Sequence, residues 1–481
     1  MSSLGQSASN SLKRFIIGYG KDDQPERKPR LLKWRASKFV IIATVVLGIY
    51  VDIFLYGSTV VVLPFVLESQ AGVDHDEIGK WTGYSMLTYS LASLISSPIA
   101  GFLADKAQNR RGPLLLGLLF LLAGCICLWV ASSIAVLLFG RFLQGISAGF
   151  VWSIGLALIA DTVGYDEVGE VLAHADISLC FGLASAPPIS GSVLKKYGKD
   201  AVYALVLGLI VLDVFMRLFL VERRVAEKFE HASVLGRQDS SEGEGGSSED
   251  PEEKDEDSSY WEISIDVVVP IFCEERYGWG PLRVGLLLFT FYGPSLLCIL
   301  TGRLADRHGG KWLAIGGFLG CIPSFLGLTT VEMFSDDDAP PIIWVLMACA
   351  GISLSFANTP VMAEIVYALM GKQDRYPSLR RNSGGYGLAY GLFMTVFSLG
   401  SVTASAGSPP FLKLEYGWSA AMYSLAGCCL LAVVPVALWT GKKGPGGRFG
   451  MKRKEIDASE AGNSDQSESR ELEVISKEVS V

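Results

Sequence analysis

Eleven long apolar stretches dominate this 481-residue chain, near residues 39–67, 82–104, 113–131, 134–160, 172–194, 201–221, 284–304, 311–330, 341–369, 387–411 and 418–440. Each has about the 20 residues that a helix needs to cross a bilayer. In hydrocarbon the backbone must satisfy its own polar groups, which leaves helices or a closed barrel, and these stretches are too long for barrel strands. A soluble helix bundle would need a polar face on each helix. The reading is an all-α polytopic membrane protein. Charged residues are only 19% of the chain, against about 25% in soluble domains, and they gather in the two tails and one central segment.

The first 38 residues are polar and basic, and the first apolar run is too long for a signal-peptide h-region, so span 1 is expected to act as its own insertion signal. Eight of the nine cysteines lie in spans and Cys273 at the end of a shorter apolar segment; without metal spacing or histidine support they read as small apolar residues, with no metal site. Lys and Arg collect in the N-terminal tail, after span 2 (Lys106, Arg110, Arg111), after span 6 (Arg223, Arg224, Lys228), after span 10 (Lys372, Arg375, Arg380, Arg381) and after span 12 (Lys442, Lys443, Arg448). If the helices alternate, all of these fall on one side, which the positive-inside rule makes cytosolic, both termini included.

The acidic, Ser- and Gly-rich segment at 240–259 cannot bury enough apolar surface to fold. It divides the chain into a cytosolic N-terminal tail (1–38), a six-helix half (39–221), an acidic disordered linker (222–259), a second six-helix half (260–440) and a cytosolic C-terminal tail (441–481). The halves echo one another: GFLADKAQNRRG (101–112) and GRLADRHGGK (302–311) each follow the second span of their half. Parallel repeats of this kind build several secondary transporters. The twelfth span is defective. The run 260–273 places only about ten residues between the linker and Pro270, contains Glu262 and Asp266, and covers about 20 Å of a core of about 30 Å. Either the sequence lacks part of an exon, or the helix is short in the protein.

GFLADKAQNRRG resembles the loop signature of the major facilitator superfamily, GRFLQG (140–145) its fourth-helix signature and GLASAPPISG (182–191) its fifth-helix antiporter signature. The resemblance covers roughly residues 38–440 and implies the major facilitator fold, with two six-helix halves and twelve helices. YVDIFLYGSTVVVLPFVL (50–67) and YGLAYGLFMTVFSLG (386–400) are most similar to drug:proton antiporters of the fungal branch near the vesicular amine transporters. The sequence departs from the pattern at Ala186-Pro187, where Gly-Pro is usual, at Gln108-Asn109, where a glycine is usual, and at Ser355, near the place of a tenth-helix Asp in the amine transporters.

Ionisable groups inside spans are costly and so are functional candidates. Asp52, in mid span 1, can trade a proton for a cationic substrate; its bland alternative is a structural acceptor for a neighbouring helix. Arg141 and Gln144 share a face of span 4, and the resemblance implies proton coupling for Arg141. Asn358 is an uncharged candidate contact. Glu364 is a second candidate carboxylate, following a Pro360 that is expected to break span 10. The resemblance makes Asp105, Arg110, Arg111 and Asp161 a conformational latch, with Asp306 and Arg307 its counterpart in the second half. Gly182, Pro187, Pro188 and Gly191 are expected to bend span 5. Asp213 and Arg217, at i and i+4, should pair with each other. Asp176 and His174 read as interfacial, and Trp152, Tyr56 and Tyr89 as packing or cavity lining.

No Walker loop, GxGxxG or HExxH pattern is present, so the chain is not expected to be an enzyme, to use ATP, or to need a cofactor. These features imply secondary transport through a multi-pass protein of the plasma membrane or a vacuolar or vesicular membrane. The expected activity is proton-coupled efflux of small amphipathic or cationic organic molecules. The expected partners are substrate, protons and the lipid bilayer, with no nucleic acid and a monomeric state. A nutrient or sugar importer, and a non-transporting receptor or truncated splice form, are the alternatives.

Overall fold

The protein is described here from a computed structural model covering residues 32–69, 72–74, 77–107, 109–163, 167–220, 269, 272–273, 276–279, 281–334, 339–375, 385–412 and 417–440. Its described secondary structure is helical throughout. The first six crossings are α1 (Lys38–Ser69), α2 (Ile78–Lys106), α3 (Arg111–Trp129), α4 (Ile134–Thr162), α5 (Val168–Tyr197) and α6 (Lys199–Phe219). One further crossing is made of two pieces, α7 (Pro281–Tyr292) and α8 (Cys298–His308), joined by a 3-10 turn at Gly293–Leu297. It is followed by α9 (Lys311–Thr329), α10 (Ala339–Arg375), α11 (Tyr386–Leu412) and α12 (Gly417–Trp439). Eleven crossings therefore stand among the described residues, at the places their apolar runs predict. Most of the short run at 260–273, including Glu262, Asp266 and Pro270, lies outside the described residues, as do the acidic linker and both tails.

Pro294 accounts for the break between α7 and α8, because its ring cannot donate the helical hydrogen bond; its carbonyl accepts instead from Ser355 Oγ on α10, at 3.2 Å. Pro360 does not act this way. It lies inside an α10 that continues from Ala339 to Arg375, so the expected break is absent. Neighbouring helices let a membrane helix carry proline without ending. The same holds for Pro187 and Pro188 within α5.

Burial sorts the helices. In α4, 83% of the apolar window is buried, against 33% in α6, so α4 runs through the interior while α6 turns much of its surface outward. Outward-facing Ile95, Ile99, Phe102, Phe139, Phe215 and Leu431 are what a lipid-facing surface requires. Inside, the hydrophobic effect does little to hold helices together in a membrane, and small residues that permit close approach take over. The long contact of α2 with α11 follows that rule. Ser90 meets Ser401, and Ser398 donates to Ser93 at 2.8 Å. A methyl group on Gly101 would lie 2.3 Å from the Gly387 carbonyl oxygen.

Gly101→Ala should therefore push α2 from α11 and destabilise the protein by about 1–3 kcal/mol, the usual cost of overpacking. Gly208→Ala, on α6 where a methyl group meets nothing within 4 Å, should be neutral or slightly stabilising through helix propensity. Thermal unfolding of the two purified variants in one detergent checks the contrast; equal losses would show that the approach at Gly101 is not limiting.

Candidate functional site

Charge is buried in two layers. The first lies where α2, α4, α6 and α8 end. Asp105, at the close of α2, accepts the backbone N–H groups of Gly387 (2.9 Å) and Leu388 (2.8 Å) at the start of α11. Asp306, near the close of α8, accepts those of Gly169 (2.8 Å) and Glu170 (3.0 Å) at the start of α5, and the Tyr367 hydroxyl. A carboxylate at a helix N-terminus meets unsatisfied N–H groups and the positive end of the helix dipole. The two repeated Leu-Ala-Asp sequences thus brace opposite halves reciprocally. Gly302 and Gly169 permit the second contact, since a methyl group on Gly302 would lie 2.4 Å from the Gly169 carbonyl oxygen.

Around Asp105 the expected latch residues are assembled. Arg110 Nε donates to Asp161 at 2.7 Å and its Nη2 lies 3.5 Å from Asp105, with Arg110 and Asp161 both largely buried. Arg111 donates to the Leu218 carbonyl at the end of α6. The counterpart differs in detail. Arg307 is exposed, and it is Arg303 that pairs with Glu170 across the halves, at 2.7 Å. Glu364 belongs to this end as well, accepting the Gly310 N–H at the start of α9 (3.1 Å).

The second layer lies within the bundle. Asp52 on α1 is fully buried. Trp152 faces it, and the Asp213–Arg217 pair acts on it electrostatically, yet neither carboxylate oxygen closes a hydrogen bond of good geometry. Asp213 and Arg217 pair as their spacing predicts, Nε to Oδ1 at 3.0 Å. The guanidinium leans on α1, where a methyl group on Gly48 would be 2.0 Å from Arg217 Nη2, a nitrogen without a hydrogen-bond partner. Gly48 is one turn before Asp52, and helical side chains tilt toward the N-terminus, so the orphan donor and the orphan acceptor border the same turn of α1.

Arg141 is fully buried but has no carboxylate partner among the described residues. It donates to Ser85 Oγ (2.9 Å) and Gln144 Oε1 (2.9 Å), and it lies 5.6 Å from the centroid of the Tyr56 ring. Tyr56 and Tyr89 have ring centroids 5.0 Å apart, and Tyr89 is electrostatically linked to both Arg141 and Asp52. A small cavity lies beside them, lined by Ile53, Tyr89, Ser93, Trp152, Phe397 and Ser401 among others. Ser147 has the GxSxG spacing (145–149) of a nucleophile elbow, but it stands on continuous α4 and not on the strand-to-helix turn which that chemistry needs. On α5, Gly182 packs on Ile53, and Gly57 of α1 packs on Ala186 and Pro187. Pro188 lies against Gly285 of α7, and Gly191 follows it in the same helix.

Asp176 is the residue that reading along the chain misplaces. It is 1% exposed, inside the bundle and not at an interface. It accepts hydrogen bonds from Asn358 (2.6 Å) and Thr359 (2.7 Å) on α10 and from Cys298 (3.0 Å) on α8. The signal was available: Asp176 is the one acid in the stretch 171–194. Placing the start of span 5 at 172 put it near the end, whereas α5 begins at Val168.

A bundle of apolar helices with carboxylates and guanidinium groups buried between them defines a polytopic membrane protein whose two halves meet through charge. The sequence matches the Major Facilitator Superfamily profile over residues 42–242 and 262–460. An MFS-type transporter of Schizosaccharomyces pombe is 26% identical over 83% of this chain and 95% of its own. The vesicular acetylcholine transporter of Drosophila melanogaster is 27% identical over 59% of this chain and 44% of its own length. Among solved structures, that of the human organic anion transporter MFSD10 superposes with a TM-score of 0.62 at 16% identity, over 85% of this chain and all of that one. The chain belongs to the major facilitator superfamily of membrane transporters, and is not an enzyme.

Removing one partner of a buried ion pair strands the other, at about 3–5 kcal/mol. Asp161→Ala and Arg110→Ala should each destabilise the protein strongly, and the double variant should lose much less than the sum. Unfolding midpoints of the four proteins close the cycle; strictly additive losses would mean that the pair is not coupled.

Proposed function

We propose that this transporter is a proton-driven exporter of small amphipathic or cationic organic molecules, working by alternating access with Asp52 as its proton and cation site. The observation that carries the reading is the state of Asp52: fully buried, faced by Trp152, and with neither oxygen closing a hydrogen bond of good geometry. A carboxyl in that position tolerates two occupants, a proton or a cation, because burial disfavours the bare anion. A site that accepts either one but not both couples the two fluxes. The similarity to a vesicular acetylcholine transporter supports a cationic cargo, and the fifth-helix sequence GLASAPPISG supports exchange.

In this reading the basic end of the bundle faces the cytosol. The reciprocal Asp105 and Asp306 braces hold that end closed, and Arg110 and Asp161 stiffen the Asp105 brace. Arg141, held by neutral groups and the Tyr56 ring, keeps a fixed positive charge within the same half as Asp52 and tunes proton release. The membrane is the plasma membrane or that of a vacuole or vesicle.

Asp52→Asn should abolish pH-gradient-driven accumulation of a fluorescent organic cation in inverted vesicles while leaving protein abundance unchanged. Undiminished accumulation in the variant would sink the assignment of Asp52, and accumulation in right-side-out vesicles alone would make the protein an importer.

A further inference from the structure

Asp176 takes no part in the reading above, and its surroundings differ from those of Asp52. The groups that act on Asp52 (Trp152, Asp213, Arg217 and Tyr89) all belong to its own half, on α4, α6 and α2. Asp176, on α5, is held entirely by the other half, through Cys298 of α8 and through Asn358 and Thr359 of α10. These donors are neutral, and no ion pair reaches the carboxylate among the described residues. His174, two residues away on α5, is turned to the Glu170 carbonyl.

The carboxylate also borders a cavity that it shares with Phe291, Tyr292, Cys298, Ser355 and Asn358. The cavity holds about 10 Å³, roughly the room of one water, so no organic molecule fits while the halves are together. Seven residues separate Gly169, bonded to Asp306, from Asp176. At 1.5 Å per residue this places Asp176 about 10 Å further into the bundle than the brace. Parting the halves at the braced end would therefore break the brace first and then withdraw all three donors from Asp176 together.

We infer that Asp176 is a second cation site, exposed only when the braced end opens, and that it takes the cationic group of an organic cargo against the aromatic wall of Phe291 and Tyr292. The inference deepens the exporter reading by naming where cargo is first held on the cytosolic side, but it stands on different residues. A carboxylate that has exchanged its protein donors for the water of an opened cavity attracts positive charge, and aromatic faces favour a lipophilic cation over a hydrated metal ion. The neutral donors suit the closed state, since they satisfy the carboxylate without leaving a buried cation behind when the halves part.

Cys298 provides the readout, because it donates to Asp176 in the closed state and would be uncovered in the open one. The full-length protein in liposomes is treated with N-ethylmaleimide, with and without tetraphenylphosphonium, and alkylation of Cys298 is followed by peptide mass spectrometry. Tetraphenylphosphonium should slow alkylation of the native protein and of Asp52→Asn. In Asp176→Asn the concentration needed for protection should rise about tenfold or more, the scale of one lost desolvated charge contact, and Asp176→Glu should recover part of it. The inference is overturned by a Cys298 that never reacts, by no protection of the native protein, or by equal protection in Asp176→Asn. Loss of gradient-driven flux in native protein that still shows protection would overturn the exporter reading and leave the site standing.

Discussion

An ionised side chain inside a bilayer must be paired, hydrogen-bonded or neutralised, and the arrangement of this bundle follows from the three ways its charges meet that demand. Asp213 and Arg217 pair within one helix, a solution that travels with α6 whatever the halves do. Asp105 and Asp306 are satisfied by backbone N–H groups of the opposite half, so their satisfaction lasts only while the halves are closed. Asp52 is satisfied by neither. A carboxylate of the first kind stays satisfied in any arrangement of the halves, one of the second kind only while they meet, and one of the third kind is the proton and cation site proposed above. The same residue type thus stands in three situations, and the difference lies in whether its partners belong to its own helix, to the opposite half, or close no hydrogen bond of good geometry.

The reciprocal braces depend on a steric condition as much as an electrostatic one. A carboxylate reaches a helix N-terminus in another half only if the two backbones come close. At Gly101–Gly387 and Gly302–Gly169 a single added methyl group would meet a carbonyl oxygen at 2.3–2.4 Å. The glycine two positions before each Leu-Ala-Asp sequence therefore belongs to the same device as the aspartate. Repetition of both in the two halves makes the closed end nearly symmetric, while the partners differ: Arg110 links Asp105 to Asp161 in the first half, whereas in the second Tyr367 joins Asp306 and the ion pair to Glu170 comes from Arg303.

Much of this was legible in the chain. Apolar length alone placed eleven crossings, because the bilayer fixes the length of a span. Period and spacing identified Asp213 with Arg217, and the family resemblance implied Asp105, Arg110, Asp161 and Asp306. What stayed hidden were relations between helices distant in sequence. Asn358 stood out as a polar residue in a span and Asp176 did not, yet they are one contact, 182 positions apart. Pro360 reads as a break because its local chemistry opposes a helix, and it is not one because packing on α9 and its neighbours overrides that preference. Arg141 reads as needing an acid, and neutral donors with an aromatic face meet the need instead.

The position of Asp176 sharpens what alternating access asks of such a bundle. If every cross-half contact were strong, the halves could not part; if every one were weak, the closed end would leak. Three neutral donors on one carboxylate are a compromise, because the amide and the hydroxyl are each worth about 1.5–3 kcal/mol as a hydrogen bond to a charged group and the thiol less, and all are lost together when α8 and α10 move as a body. Opening thus exchanges three protein donors for water in a single step, and in the proposal above a cation that then binds offsets part of what opening cost. Cargo binding and opening become linked through one side chain, which requires no relay of motions through the rest of the protein.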